Sequence, residues 1–289
     1  MLILFTDTDT DTTPEIAKEY GYNLISMPYS VGGKEIFPYE DFEVFDYQPF
    51  YAKLRKGIIP STSGISPSKY MNYFEPHFQN GDDILYVHFS TQLSGTLNAM
   101  NIAVDELLEK YPDRKFYTID TKAITICSLN IVREIGDLYK QGKTIDEIMD
   151  WAKEEVDKFA IYFYADDLKF FQRSGRVSNF KAIVGDFFGI KPIINIGSDG
   201  KMVSIGKGKG RIGALRKIIS YVEELQEDIK DHRVIIGHTD ALEIAEILAE
   251  MLREKFGQDL NIEFVIVNPT AGSHCGPDGI GVSFHAKHR

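Results

Sequence analysis

Short apolar segments alternate with longer amphipathic segments through the first half of the chain. The apolar runs predict buried strands at Leu2–Phe5, Asn23–Tyr29, Asp83–Phe89 and Phe116–Ile119. Helical spacing of the apolar positions predicts helices at Pro14–Tyr20, Pro67–Gln79, Leu97–Lys110 and Ile124–Gln141. Strands that alternate with helices in this way imply right-handed βαβ units and a mainly parallel sheet.

Two regions depart from this alternation. Residues 32–60 are rich in aromatic side chains, and we expect them to be loop-rich. Later in the chain, Pro192–Ile196 and Met202–Ile205 flank the turn Gly197–Gly200, which is the pattern of a β-hairpin. The two strands of a hairpin pair antiparallel, so the second half of the chain is expected to contain a mixed sheet.

The complete pattern predicts an α/β protein of two domains, residues 1–157 and residues 158–289. Thr144 and Glu147 have the spacing of a capping box and open the last helix of the first domain. The strands and helices expected in the second domain, apart from the hairpin, are Ala160–Tyr164, Gly213–Gln226, Arg233–Gly237, Leu242–Phe256 and Ile262–Val267. The first domain should hold the mainly parallel sheet and the second the mixed sheet.

Composition narrows the class of protein. The net charge of −11 over 289 residues argues against a nucleic-acid groove as the main function. Cys127 and Cys275 lie far apart without metal-ligand spacing, which favours a reducing, cytoplasmic compartment over a disulfide and predicts no metal site. The acidic N-terminal segment is not a signal peptide, and no apolar run approaches the roughly 20 residues of a membrane helix.

Three short polar motifs carry the candidate chemistry. They are Thr62–Gly64 with Ser66–Ser68, Leu93–Thr96, and Gly272–Pro277, which contains His274 in an expected glycine-rich turn. Each follows a loop or an apolar strand and offers hydroxyl, imidazole or backbone N–H groups but no carboxylate. At the carboxyl edge of an open α/β sheet such groups form a pocket for an anionic head group. Taken singly, each of the first two motifs is equally well explained by a capped loop or helix. A lone histidine is more often structural, but the glycines that flank His274 favour a functional role because they let the backbone approach a ligand closely.

Two further motifs suggest other chemistry. Gly208–Gly213 matches the GxGxxG dinucleotide pattern, but the strand before it belongs to the hairpin rather than to a βαβ unit. Asp7, Asp9 and Asp11 follow the first strand and resemble the nucleophile motif of a Mg²⁺-dependent phosphatase. No later acidic metal motif accompanies them, and a capped strand–helix turn explains them more simply. The phosphatase is nevertheless kept as an alternative function.

Basic and apolar clusters complete the candidate residues. One basic group consists of Lys169, Arg173 and Arg176, and another of Lys207, Lys209 and Arg211. Each group is either a positive rim for phosphate or a solvated face. The apolar stretch 183–190 is simplest as core but is also suited to line a hydrophobic tunnel.

The order and spacing of these motifs resemble the DegV family of lipid-binding proteins, which includes the FakB subunits of bacterial fatty acid kinase. The resemblance covers essentially the whole chain. It rests on the polar motifs above together with Ile119–Thr121, Gly175–Ser178, Lys191–Ile194 and Gly279–Gly281. The chain departs from the family pattern at Gly64, Cys275 and Asp278, whereas the head-group residues match.

The resemblance implies that the protein is not an enzyme and uses no cofactor. It implies that a long-chain fatty acid binds in a buried tunnel and is presented to a separate ATP-dependent kinase subunit, which forms an acyl phosphate. Transient contact with a membrane surface and a role as a lipid sensor without a kinase partner stay open. By resemblance the residues that hold the carboxylate are Thr62, Ser63, Ser94, Gly95, Thr96 and His274. Arg176 and Arg211 are expected to face the phosphate and the kinase, and Ile183, Phe187, Phe188 and Ile190 to line the tunnel.

Overall fold

The first sheet of the protein is entirely parallel. The computed structural model describes residues 1–178 and 189–289. Strands of this sheet lie in the order β2-β1-β6-β7, with the bounds β1 Leu2–Asp7, β2 Tyr22–Ile25, β6 Asp83–His88 and β7 Phe116–Asp120. The carboxyl ends of the four strands therefore open onto one edge. The expected strand Asn23–Tyr29 is two strands, because β2 leaves the sheet at Ser26 and the chain pairs again only from Tyr29.

Helices accompany the strands of this sheet at the predicted places. Their bounds are α1 Pro14–Tyr20, α3 Pro67–Gln79, α4 Thr96–Lys110, α5 Thr125–Lys140 and α6 Ile145–Glu155. Thr144 and Glu147 form the reciprocal capping box at the start of α6, which confirms that prediction.

The segment expected to be loop-rich, residues 32–60, contains regular structure. Strands β3 Tyr29–Val31, β4 Lys34–Ile36 and β5 Ser61–Thr62 form a small antiparallel sheet in the order β4-β3-β5. Helix α2 Tyr47–Arg55 follows β4, and its buried Phe50, Tyr51 and Leu54 pack with Tyr29. Most of residues 32–60 are loop, as expected, but the prediction missed β4 and α2, since strands this short show no period in the sequence. Their aromatic neighbours hold them in place.

The second sheet is mixed, as predicted, and confirms the α/β class. It has the order β13-β12-β14-β8-β10-β11-β9, with β12–β13 and β9–β11 parallel and the other pairs antiparallel. Its strands are β8 Phe159–Tyr164, β9 Val177–Ser178, β10 Ile190–Ile196, β11 Met202–Lys209, β12 Val234–His238, β13 Ile262–Ile266 and β14 Ile280–His285. Strands β10 and β11 are the predicted hairpin.

Four helices accompany this sheet among the described residues. They are α7 Lys169–Ser174, α8 Gly210–Leu225, α9 Leu242–Phe256 and α10 Pro269–Cys275. The predicted glycine-rich turn around His274 is thus a short helix, since Asn268 caps it and Pro269 opens it. The GxGxxG pattern has a packing role: a Cβ at Gly208 would overlap with the backbone of Ala214.

Close packing of helices α1 and α5 gives a test of the fold. A methyl group at Gly136 would lie 2.5 Å from Cδ1 of Tyr20, a buried side chain. We expect Gly136→Ala to lower the free energy of unfolding by about 1–3 kcal/mol through overpacking. Chemical denaturation measures this loss.

Gly213→Ala is the matched control in another helix. Its new methyl group would lie 3.5 Å or more from every neighbour among the described residues, so stability should stay level or rise slightly with helix propensity. Equal losses in both variants would contradict the packing of α1 on α5.

Candidate ligand-binding cavity

A cavity of about 440 Å³ lies between the carboxyl edge of the parallel sheet and the second sheet. Loops that follow β1, β2, β6 and β7 contribute Asp9, Met27, Phe89 and Ile124 to its wall. The opposite wall comes from strands β8, β11, β12 and β14 and from helix α10. Most of the wall is apolar, and half of its polar side chains belong to the three motifs.

Helix α10 is held in place by side chains far away in sequence. Asp11 accepts hydrogen bonds from both the backbone N (2.8 Å) and Nδ2 (2.7 Å) of Asn268, whose Oδ1 in turn caps the helix at Ala271. Thr270 donates to the Met27 carbonyl at 2.8 Å. Since all of these groups are buried, the position of α10, and with it that of His274, is strongly determined.

His274 and Thr62 meet in this cavity although 212 residues separate them. Nε2 of His274 lies 2.8 Å from Oγ1 of Thr62, and both side chains line the wall. Burial, with a smaller contribution from the positive charge of Arg176, lowers the pKa of His274 to about 4. The ring is therefore neutral at pH 7, and it offers a hydrogen bond rather than a charge.

The start of helix α4 supplies the third motif residue in the cavity. Oγ of Ser94 accepts from the backbone N of Thr96 at 3.2 Å, which is a local serine turn one residue before the N-cap, Gly95. That bond uses the oxygen as an acceptor and leaves the O–H group to donate toward the cavity that Ser94 lines. Gly95 lines the cavity beside it.

The hydroxyls of Thr96 and Ser63 are used differently. Oγ1 of Thr96 accepts from the backbone N of Ile65 at 3.1 Å and lies 3.3 Å from the Tyr70 hydroxyl, so it joins α4 to the loop before α3. Ser63 is exposed and donates to Glu35 at 2.7 Å. Both residues line the cavity, but their side-chain oxygens are committed to protein partners.

The rest of the wall suits an apolar chain. Side chains that face the cavity away from the three motifs include Phe89, Ile126, Ile161, Phe163, Met202 and Ile280. Of the predicted tunnel residues, Ile183, Phe187 and Phe188 lie outside the described residues. Ile190 is half-buried at the start of β10 and does not belong to the wall formed by the described residues.

The two arginines expected at the polar end are placed differently. Arg176 is exposed and lines both this cavity and an adjoining polar cavity of about 490 Å³, which shares Leu93, Ser94 and Gly95 with it. Arg211 lines neither cavity; its Nε donates to Asp166 at 3.0 Å. Only Arg176 is positioned to act on a group held near Ser94.

The acidic loop after β1 has structural partners. Asp7 accepts from the Tyr86 hydroxyl at 3.0 Å and from the backbone N of Phe89 at 3.3 Å, and Asp11 is bound to Asn268. Burial raises the pKa of Asp7 and of Asp11 to about 7. Residues 1–178 and 189–289 contain no group of three His, Cys, Asp or Glu side chains suited to hold a metal. This geometry does not favour the phosphatase.

Sequence reasoning did not place Asp9 in the cavity. It was considered only as part of the phosphatase motif, yet it lines the wall with the carboxylate candidates. The fact that it follows the first parallel strand was the available signal, because that edge of the sheet is where ligands bind.

No helix among the described residues is long and apolar enough to cross a membrane.

Comparisons with known proteins agree on the family. A sequence model of the DegV family, described as a family of uncharacterised proteins, matches residues 1–287. A DegV domain-containing protein of Clostridium perfringens is 35% identical over 98% of this chain and 96% of its own length.

Solved structures establish the same fold. A DegV family protein from Thermus thermophilus, described by its fatty acid binding, superimposes with a TM-score of 0.86 at 21% identity over 99% of each chain. A stearic acid-binding protein from Eubacterium ventriosum superimposes with a TM-score of 0.84 at 20% identity, again over 99% of each chain. With the family model matched along almost its entire length, the chain belongs to the DegV family.

Proposed function

We propose that the protein binds a long-chain fatty acid in the cavity and presents its carboxylate to a separate ATP-dependent kinase. The observation that carries the proposal is the contact between Thr62 and His274 at the polar end of a largely apolar cavity. An apolar wall with a few convergent polar groups is the arrangement expected for a ligand with one polar end. The protein itself performs no chemistry in this scheme.

Fatty acids bound by relatives support the ligand class. The Thermus thermophilus protein is described by its fatty acid binding and the Eubacterium ventriosum protein by stearic acid. A related DegV protein from Ruminococcus gnavus was refined with vaccenic acid. These acids differ in saturation but share a long chain and a carboxylate, which are the two features that the cavity is suited to hold.

Energetics assign different tasks to the two ends of the ligand. Burial of about 14 methylene groups at about 0.8 kcal/mol each gives roughly 11 kcal/mol before the cost of ordering the chain. Hydroxyls and a neutral imidazole add little to that sum. Their task is to hold the carboxylate in one orientation, which transfer of a phosphoryl group requires.

The first experiment concerns the ligand itself. Native mass spectrometry of protein purified without added lipid should show a bound species with the mass of a long-chain fatty acid, since the apolar cavity favours such a chain over water. After delipidation, added stearic acid should rebind in equimolar amount. Absence of both signals would refute the proposed function.

Substitution of the head-group residues should weaken binding moderately. Removal of one neutral donor costs about 0.5–1.5 kcal/mol, so Ser94→Ala and Thr62→Ala should each raise the dissociation constant for stearic acid by up to about tenfold. The cavity should still fill, because the chain supplies most of the affinity. Titration with a displaced fluorescent fatty acid measures the change.

Ser68→Ala is the matched control for this series, because Ser68 is exposed, lies outside the cavity wall and hydrogen-bonds to Ser66. It should leave affinity unchanged. If Ser94→Ala were equally silent in both binding and acyl-phosphate formation, Ser94 would have no part in holding the head group.

Substitution of Arg176 should distinguish ligand binding from the kinase-coupled step. It is exposed at the junction of the two cavities, so Arg176→Ala should keep the affinity for stearic acid and slow acyl-phosphate formation by a kinase subunit from the same cells. The acyl phosphate is measured as its hydroxamate. Arg216→Ala removes an exposed charge elsewhere and should change neither quantity.

Fatty acid binding without any kinase-dependent acyl phosphate, even with the unmodified protein, would favour the lipid sensor. Pull-down from cytosol would then identify the partner.

A further inference from the structure

One carboxyl group of the acidic loop faces the cavity. Asp9 lies in the 3₁₀ turn Thr8–Thr10, is 6% exposed and lines the cavity wall. Its Oδ1 is buried and has no hydrogen-bond partner within residues 1–178 and 189–289. Asp7 and Asp11, its neighbours in the loop, do not line the cavity and are bound to Tyr86 and Asn268. Asp9 therefore has a hydrogen-bonding group to offer to a ligand.

Its surroundings place this carboxyl at the polar end of the cavity. The charge of Arg176 acts on both Asp9 and His274, so the two side chains share one electrostatic neighbourhood. Asp7 and Asp11 act on Asp9 from the same loop, and Tyr70 lies near enough for its own pKa to respond to Asp9. The other titratable groups that the described residues contribute to the cavity wall are Tyr164, Arg176, His274 and Cys275.

Asp9 favours its protonated form in this environment. Burial is the main cause that holds its pKa well above the usual range, and the carboxyls of Asp7 and Asp11 add to it against the opposing charge of Arg176. A ligand carboxylate that enters the same cavity brings a further negative charge. Two carboxyl groups in one poorly solvated site keep one proton between them, because both cannot ionise.

We propose that Asp9 is a head-group residue that carries one proton in the complex and donates a hydrogen bond from its carboxyl group to the ligand carboxylate. This assignment rests on the proposed binding of a fatty acid in the same cavity. It adds an acidic donor to Thr62, Ser94 and His274, and it gives the cavity a preference for a carboxylate over an uncharged end group. The loop after β1 is then part of the binding site as well as its support.

Proton sharing makes the affinity depend on pH in one direction. While Asp9 is protonated in the empty protein, the ligand anion binds without a proton change. Above the pKa of Asp9 in the empty protein, each binding event takes up one proton, so the dissociation constant rises about tenfold per pH unit. His274, with a pKa of about 4, and Cys275, with a pKa of about 12, titrate outside the range pH 6–9, and burial holds the pKa of the Tyr164 hydroxyl well above that range.

The test measures binding of decanoate and of 1-decanol between pH 6 and pH 9 by isothermal titration calorimetry. Decanoate affinity of the unmodified protein should fall toward high pH, whereas that of the uncharged alcohol should stay level. Asp9→Asn keeps a hydrogen-bond donor of the same shape but cannot titrate, so it should lose the tenfold fall in decanoate affinity per pH unit and keep at most the shallower decline that ionisation of Asp7 and Asp11 causes. Asp7→Asn removes a neighbouring titratable group outside the wall and should keep the decline with, at most, a shifted midpoint.

Each outcome decides between distinct conclusions. An equal decline in the unmodified protein and in Asp9→Asn would overturn the assignment. If decanoate affinity stays level in the unmodified protein up to pH 9, an unchanged affinity in Asp9→Ala would overturn it, because removal of the proposed donor would then have no effect. An affinity gain of the same factor at every pH in Asp9→Asn would also overturn it, because Asp9 would then be a fixed repelling charge. Failure of the unmodified protein to bind these ligands and stearic acid alike would instead refute the proposed function.

A second measurement does not depend on the variant's folding. Repeating the decanoate titration of the unmodified protein at pH 8.5 in two buffers of different ionisation enthalpy gives the number of protons taken up. Where the affinity falls with pH we expect a value near one, and a value of zero with falling affinity would refute proton sharing.

Discussion

The buried hydrogen bonds between Asp11 and Asn268 are the link on which the site depends. They join the loop at the carboxyl edge of the parallel sheet to the cap of helix α10, across 257 residues of sequence. A buried carboxyl group is costly unless it is hydrogen-bonded, so this contact permits little displacement of either partner. Because α10 carries His274, the position of the imidazole over Thr62 follows from it.

Close contacts elsewhere keep the same elements together. The Tyr51 hydroxyl donates to the Val267 carbonyl at 2.9 Å, and a Cβ at Gly272 would overlap with that hydroxyl. Helix α2 therefore packs so closely on α10 that a larger side chain at position 272 would not fit. On its other side, Arg55 of α2 pairs with Asp240 and Asp278. The small sheet that carries Thr62 is thus anchored to the second sheet by both apolar and ionic contacts.

The apolar wall of the cavity sets few geometric requirements on a ligand, whereas the polar end sets strict ones. Apolar burial is non-directional, so in the proposed complex the wall would set no requirement on the chain beyond its fit. Hydrogen bonds are directional, and because His274 is neutral it would meet the proposed ligand with a hydrogen bond rather than a full positive charge. Arg176 at the junction with the polar cavity is the exposed cation that lines both spaces. Affinity and orientation are in this way assigned to different residues.

The sequence by itself determined the α/β class, the parallel first sheet, the hairpin and most helix bounds, because periodicity and capping are local properties of the chain. Helices α1, α3 and α9 begin and end where their capping and apolar patterns predict. It also singled out Thr62, Ser94 and His274, through motifs that resemble those of a family. Local pattern did not identify the sheet of β3, β4 and β5, helix α10 or the place of Asp9. Those features rest on contacts between residues far apart in sequence, and only the tertiary structure decides which of them meet.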